Sequence, residues 1–130
     1  MQILVDTSVW VDFFRGISSR ETELFKQAIE RREQIFIAGI IAQEILQGIR
    51  QDSQHRSVLQ LLLLFSRIHD EFGDYLAAAN IYRSLRKRGL TIRSPVDCLI
   101  AALAIKEKVS LLHNDSDFTA IAQHFALSVI

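Results

Sequence analysis

Four carboxylates in this 130-residue chain occupy positions where an isolated charge is expensive. Asp6 ends the apolar run Ile3-Leu4-Val5, and Glu44 lies among Ile40, Ile41 and Ile45. Asp97 opens a stretch that is apolar almost throughout, and Asp115 follows Leu111-Leu112. A buried carboxylate has to be neutralised, paired or bound to a cation. Clustered carboxylates repel one another and titrate late unless a cation holds them ionised. Oxygen ligands without His or Cys partners suit hard ions, Mg²⁺ or Mn²⁺, better than zinc. One or two such ions can activate water, orient a phosphodiester and stabilise the leaving oxygen, with no Ser, Cys or His nucleophile. Asp117 stands near enough in sequence to assist, although a solvated acid in the first turn of a helix is its simpler role.

Three of the four acids have an individual structural explanation. Asp6 before Thr7-Ser8 and Asp115 before Ser116 can cap helices, and Asp97 completes the Ser-x-x-Asp pattern of a capping box begun at Ser94. Glu44 resists that account. It lies about one turn into its helix, on the apolar side, where a carboxylate is useful only with a partner. A buried arginine is its best alternative to a metal.

The elements that must carry these residues alternate between strand and helix. Gln2 to Val5 reads as a strand, followed by a helix through Phe14; Glu21 to Arg32 shows the spacing of an amphipathic helix, and Ile35 to Ile37 is a second strand. Gly39 to about Arg50 is helical and carries Glu44. Asp52-Ser53 can cap a helix running through the Leu59–Phe65 block, and Asp70 to Arg88 forms a long helix with its basic end last. Ser94-Pro95-Val96-Asp97 is a helix start, with Pro in the first turn and an acid behind it. The helix it opens, through Lys106, is apolar nearly all round and should be buried. Val109 to Leu112 reads as a strand, Asp115 to Phe125 as a helix, and Leu127 to Ile130 as a last strand. This alternation implies an α/β domain with a mainly parallel sheet, whose ligands gather beyond the carboxyl ends of the strands.

Bulk composition agrees with one globular domain: 49% hydrophobic and 23% charged residues, without a Pro-, Gly- or Ser-rich linker. The N-terminus lacks the basic segment and cleavage site of a secretion signal, and its apolar run is too short to span a bilayer. The single cysteine, Cys98, has no internal partner, which fits a reducing cytoplasm. Net charge is zero, but arginines outnumber lysines eleven to four, a bias toward phosphate recognition.

Four segments carry a resemblance: Val5-Asp6-Thr7-Ser8 with Trp10, Ile41-Ala-Gln-Glu-Ile-Leu46, Pro95-Val-Asp-Cys-Leu-Ile-Ala-Ala102, and Leu111-Leu-His-Asn-Asp-Ser-Asp-Phe118. In this order and spacing the chain resembles the PIN-domain ribonucleases, most closely the VapC-type toxins of bacterial and archaeal toxin–antitoxin systems. The resemblance spans essentially residues 1–130. It implies a single PIN domain, a three-layer α/β/α sandwich around a mainly parallel sheet. It also implies a Mg²⁺- or Mn²⁺-dependent endoribonuclease, a homodimer, and inhibition by a small antitoxin protein. The family's acidic residues carry over onto Asp6, Glu44, Asp97 and Asp115, as catalytic residues and metal ligands, with Ser8 in the hydroxyl position that supports the first acid. One departure is His113, standing where many members place Thr two residues before the last acid.

The basic run Arg83, Arg86, Lys87, Arg88 and Arg93 leads toward Asp97, and Arg86, Arg88 and Arg93 are candidate contacts for RNA phosphates. Trp10, Phe13 and Phe14 are expected in the core, as is the block Leu61-Leu-Leu-Leu-Phe65. His55, His69 and His124 show no metal-ligand spacing. Two rival classes are a Mg²⁺-dependent receiver or phosphotransfer domain and a catalytically silent binding module. The first lacks paired acids at its first strand and a lysine after Leu112; the second would not need all four acids.

Overall fold

The computed structural model describes all 130 residues. Four short strands, β1 (Gln2–Val5), β2 (Gln34–Ala38), β3 (Ser66–Ile68) and β4 (Ser110–Leu112), form one sheet in the order β3-β2-β1-β4. All three pairings are parallel, with Leu4 opposite Phe36 and Leu111, and Ile37 opposite Arg67. Seven helices connect and cover the strands: α1 (Thr7–Phe14), α2 (Arg20–Glu30), α3 (Gly39–Gln47), α4 (Asp52–Leu62), α5 (Phe72–Lys87), α6 (Pro95–Glu107) and α7 (Ser116–His124). The first four helices pack among themselves and the last three do likewise, so the sheet is the middle of an α/β/α sandwich. No helix is long and apolar enough to cross a membrane.

This topology places the site. The chain moves outward from β1 through β2 to β3, then returns across the sheet to lay β4 on the other side of β1. The reversal opens a crevice beyond the carboxyl ends of β1 and β4, where parallel sheets bind ligands. Asp6 follows β1 and donates its backbone N–H to Leu112 at 2.9 Å, which ties the two strand ends together.

A single cluster of 32 buried apolar residues forms the core. Helix α6 runs through it with Cys98 to Ala104 buried on every side, as its unbroken apolar sequence requires. Pro95 occupies its first turn, and Lys108, in the left-handed region at φ 54°, ends it. Trp10 is fully buried, edge-on to Phe25 at 4.7 Å and to Phe65 at 5.2 Å, which locks α1 to α2 and to the segment before β3. A buried acid clips α5 to α6: the Lys106 ammonium donates to Asp74 at 2.8 Å and to the His69 carbonyl at 3.0 Å.

One strand carries no sequence signal, and two sequence expectations need correction. The segment Ser66–Ile68, to which the sequence pattern assigns no element, is a strand; its edge position leaves Ser66 and Arg67 exposed and erases the apolar signal. The Leu61–Phe65 block is not all core: Leu62 is buried, but α4 ends there and turns Leu63 and Leu64 out to solvent. The C-terminal residues form one parallel bridge, Leu111 to Val129, rather than a strand.

Candidate active site

Each acid reaches the crevice by a different local device. Asp6 caps α1, its Oδ2 accepting from the Ser8 backbone N–H at 3.1 Å and the Ser8 hydroxyl at 2.6 Å. The same hydroxyl accepts the Asn114 N–H at 3.1 Å, so Ser8 joins the β1 and β4 ends through its side chain. Asp6 is the one truly buried member, 4% exposed, and burial raises its pKa above the ordinary 3.8 despite the Ser8 bonds. Asp115 caps α7, accepting from the Asp117 N–H at 2.9 Å. The capping explanation therefore holds for both, and it does not compete with a site: a cap fixes the carboxylate's direction.

For Asp97 the capping explanation fails. Ser94 is the N-cap of α6 but makes no side-chain cap bond; Asp97 contributes only its backbone N–H, to the Ser94 carbonyl at 3.1 Å. Its carboxyl group is raised from 3.8 to about 7, first by burial and then by the charges of Asp6, Asp115, Asp117 and Glu44, with no hydrogen bond to offset them. Those four perturbing acids identify Asp97 as the centre of the constellation. Carboxylate oxygens of Asp97, Asp115 and Asp117 lie within 4.8 Å of one another. Asp117 thus stands in the innermost trio, whereas its sequence position alone gave it a bland first-turn role.

Glu44 is placed differently from its sequence reading. It is half-buried, at the edge of the α3 stripe, because Ile41 and Ile45 take the inward positions. Its partner is the Thr7 hydroxyl at 2.7 Å, not an arginine. Thr7 is a site residue that the sequence reading missed; its β-branched hydroxyl beside Asp6 was the available signal. Glu44 also lines a groove of about 450 Å³ with Arg15, Arg50 and Gln51.

His113 does not touch the Asp115 carboxylate. Its Nδ1 accepts the Asp115 backbone N–H at 3.2 Å and its ring packs 5.1 Å from Phe118. Burial lowers its pKa below 6.5, and an accepting Nδ1 requires the neutral ring with its proton on Nε2. Of the three candidate arginines, one reaches the acids. Arg93 lies 3.4 Å from Asp115 Oδ1 and 3.6 Å from Asp117 Oδ2, and donates its backbone N–H to Asp117 at 3.1 Å. Arg86 stacks over Tyr82 at 5.7 Å, and Arg88 is the C-cap of α5. Arg83, Arg86 and Arg93 line a second groove of about 580 Å³ between α5 and the start of α6.

Five carboxylates around one crevice, with one of them lacking any donor, form an oxygen-only site suited to a hard divalent cation. The donor set therefore fits such an ion on chemical grounds.

Comparison with known proteins agrees with this geometry. The PIN domain family model matches residues 3–123. Ribonuclease VapC11 of Mycobacterium tuberculosis is 41% identical over 123 residues, covering 93% of this chain and 92% of the relative. A toxin–antitoxin complex from Klebsiella pneumoniae superposes with TM-score 0.67 at 25% identity, covering 98% of this chain and 95% of that one. VapBC2 from Rickettsia felis, crystallised with a promoter DNA fragment, gives TM-score 0.76 at 24% identity over 100% of this chain and 98% of that one. A receiver-type assignment is set aside by these matches. With its sheet order, its crevice of carboxylates and this coverage, the chain belongs to the PIN-domain family, in the company of the VapC ribonucleases.

Proposed function

We propose that the protein is an endoribonuclease toxin that hydrolyses RNA phosphodiesters with the help of Mg²⁺ or Mn²⁺, one or two ions per site. The observation that carries this reading is Asp97, whose carboxyl group lacks a donor, lies among four other acids and is raised to about 7. Asp97, Asp115 and Asp117 would hold the ion, with Asp6 and Glu44 completing the acidic wall. When bound, a hard divalent ion would supply Lewis acidity and a water that gives up its proton more readily than bulk water does. The chain's own part is orientation: Ser8 fixes Asp6, Thr7 fixes Glu44, and the first turn of α7 aims Asp115. Arg93, with Arg83 and Arg86 in the otherwise largely apolar neighbouring groove, offers cationic contacts to the RNA backbone.

Likeness to VapC11 and to the toxin–antitoxin complex supports inhibition by a small antitoxin, and with it action in the cytoplasm. A homodimer through α5 is supported by its exposed Phe72, Tyr75 and Leu76, spaced three and four residues apart on one face. The test is cleavage of cellular RNA by the purified protein with Mn²⁺, with Mg²⁺ and with EDTA, alongside Asp6→Asn and Asp97→Asn. Discrete cut sites with either ion, lost in EDTA and in both variants, are expected. Full activity in both variants sinks the assignment, and no cleavage under any condition favours the silent binding module.

A further inference from the structure

Arg93 stands at the boundary of two features that function must use together. Its guanidinium contacts Asp115 and Asp117, two of the three carboxylates that converge with Asp97. The same residue lines the largely apolar groove that also includes Arg83 and Arg86. Its backbone is tethered by the N–H bond to Asp117, so the pivot stays at the site wherever the side chain points.

The hold on the acids is loose. Both charge contacts are long, at 3.4 and 3.6 Å, they fall on two different carboxylates, and the side chain is 76% exposed. Solvated ion pairs of this kind contribute about 0–1 kcal/mol. A phosphate offers the guanidinium a stronger, bidentate alternative. A cation arriving at Asp115 and Asp117, by contrast, meets a like charge already beside its ligands.

We infer that Arg93 is a displaceable counter-ion: it occupies the Asp115–Asp117 pair in the free protein and swings to RNA phosphate on binding, so that RNA and divalent metal bind cooperatively. This rests on the metal-dependent ribonuclease reading and adds to it an order of events and a residue that couples them. Linkage makes the effect reciprocal: RNA tightens metal binding by the same factor that metal tightens RNA binding. Because the contacts are solvated, the factor should fall at the low end of usual couplings, about fivefold.

The experiment is Mn²⁺ titration of the full chain by calorimetry, with and without an RNA oligonucleotide made non-cleavable by replacing the bridging leaving-group oxygens with CH₂, for wild type, Arg93→Gln and Asp97→Asn. Without RNA, Arg93→Gln is expected to bind Mn²⁺ about fivefold tighter than wild type. The oligonucleotide should tighten Mn²⁺ binding by a smaller factor in Arg93→Gln than in wild type. In EDTA, the variant should bind the oligonucleotide more weakly, with a salt slope shallower by about 0.7. Equal or weaker Mn²⁺ affinity in RNA-free Arg93→Gln overturns the inference and leaves the metal site standing. Failure of the underlying reading looks different: Mn²⁺ binding absent from wild type, or unchanged in Asp97→Asn, removes the metal site and the switch with it.

Discussion

Replacing Asp97 with Asn should stabilise the metal-free protein while destroying its activity. In the folded chain its carboxyl group is raised from 3.8 to about 7. As pH climbs above 3.8 the unfolded chain ionises at this residue, while the folded chain resists until about 7. Stability is therefore lost as pH rises across that window, at 1.36 kcal/mol for each pKa unit, or about 4 kcal/mol in all. Water reaching the partly exposed carboxyl screens this to about 2 kcal/mol. Asn has the same shape and no charge, so the variant escapes the cost. At about 4 °C per kcal/mol for a chain of this size, it should melt roughly 8 °C above wild type at pH 7.5 in EDTA. The advantage should shrink at pH 5 and disappear below 3.8, where both states are protonated. Saturating Mn²⁺, at a hundred times its dissociation constant, should return about 2.7 kcal/mol to wild type and less to the variant, closing the gap. Melting curves followed by circular dichroism at three pH values, with and without Mn²⁺, measure all of this. The reasoning is refuted if Asp97→Asn melts at or below wild type in EDTA at pH 7.5, or if its advantage is the same at low pH.

Other perturbations probe the supports of the site and the fold. Ser8→Ala removes the 2.6 Å bond to Asp6 and the acceptor of the Asn114 N–H. It should cost about 2 kcal/mol in urea denaturation and lower RNA cleavage about tenfold through weaker metal binding. At Asp74, burial pushes the carboxyl up, but the Lys106 ammonium and the Glu71 N–H outweigh it and hold it below 3.8. That pair contributes above 3.8 and is lost as pH falls through the lowered value, so Asp74→Asn should cost about 1 kcal/mol at pH 7 and nothing in strong acid. Leu76→Arg, on the exposed α5 face, should convert a dimer to a monomer in size-exclusion chromatography with light scattering; an unchanged mass shows that the interface lies elsewhere.

Much of the architecture was legible because local patterns and tertiary needs coincide. The runs before Asp6 and Asp115 read as short strands, and the Ser94-Pro95 start followed by nine almost wholly apolar residues reads as a central helix. Asp6, Asp97 and Asp115 were legible as well, since an acid at the end of an apolar run has few inexpensive fates. What stayed hidden were features with no local signature. Strand β3 is three residues at a sheet edge, two of them exposed, and Leu63 and Leu64 face solvent although their composition says core.

Chain pattern by itself therefore determined the fold class, the order of the elements and which acids lie at the ends of apolar segments, because hydrophobic periodicity and capping chemistry act over a few residues. Only tertiary structure decided which charges meet. The return of β4 beside β1 sets Asp115 across from Asp6, and α6 delivers Asp97 between them without a hydrogen-bond donor. It moved Asp117 into the innermost trio, gave Glu44 the Thr7 hydroxyl in place of an arginine, and set Arg93 against the acids while Arg86 and Arg88 stayed apart. Coulomb interactions depend on separation through space, and no spacing along the chain encodes that distance until the sheet has closed it.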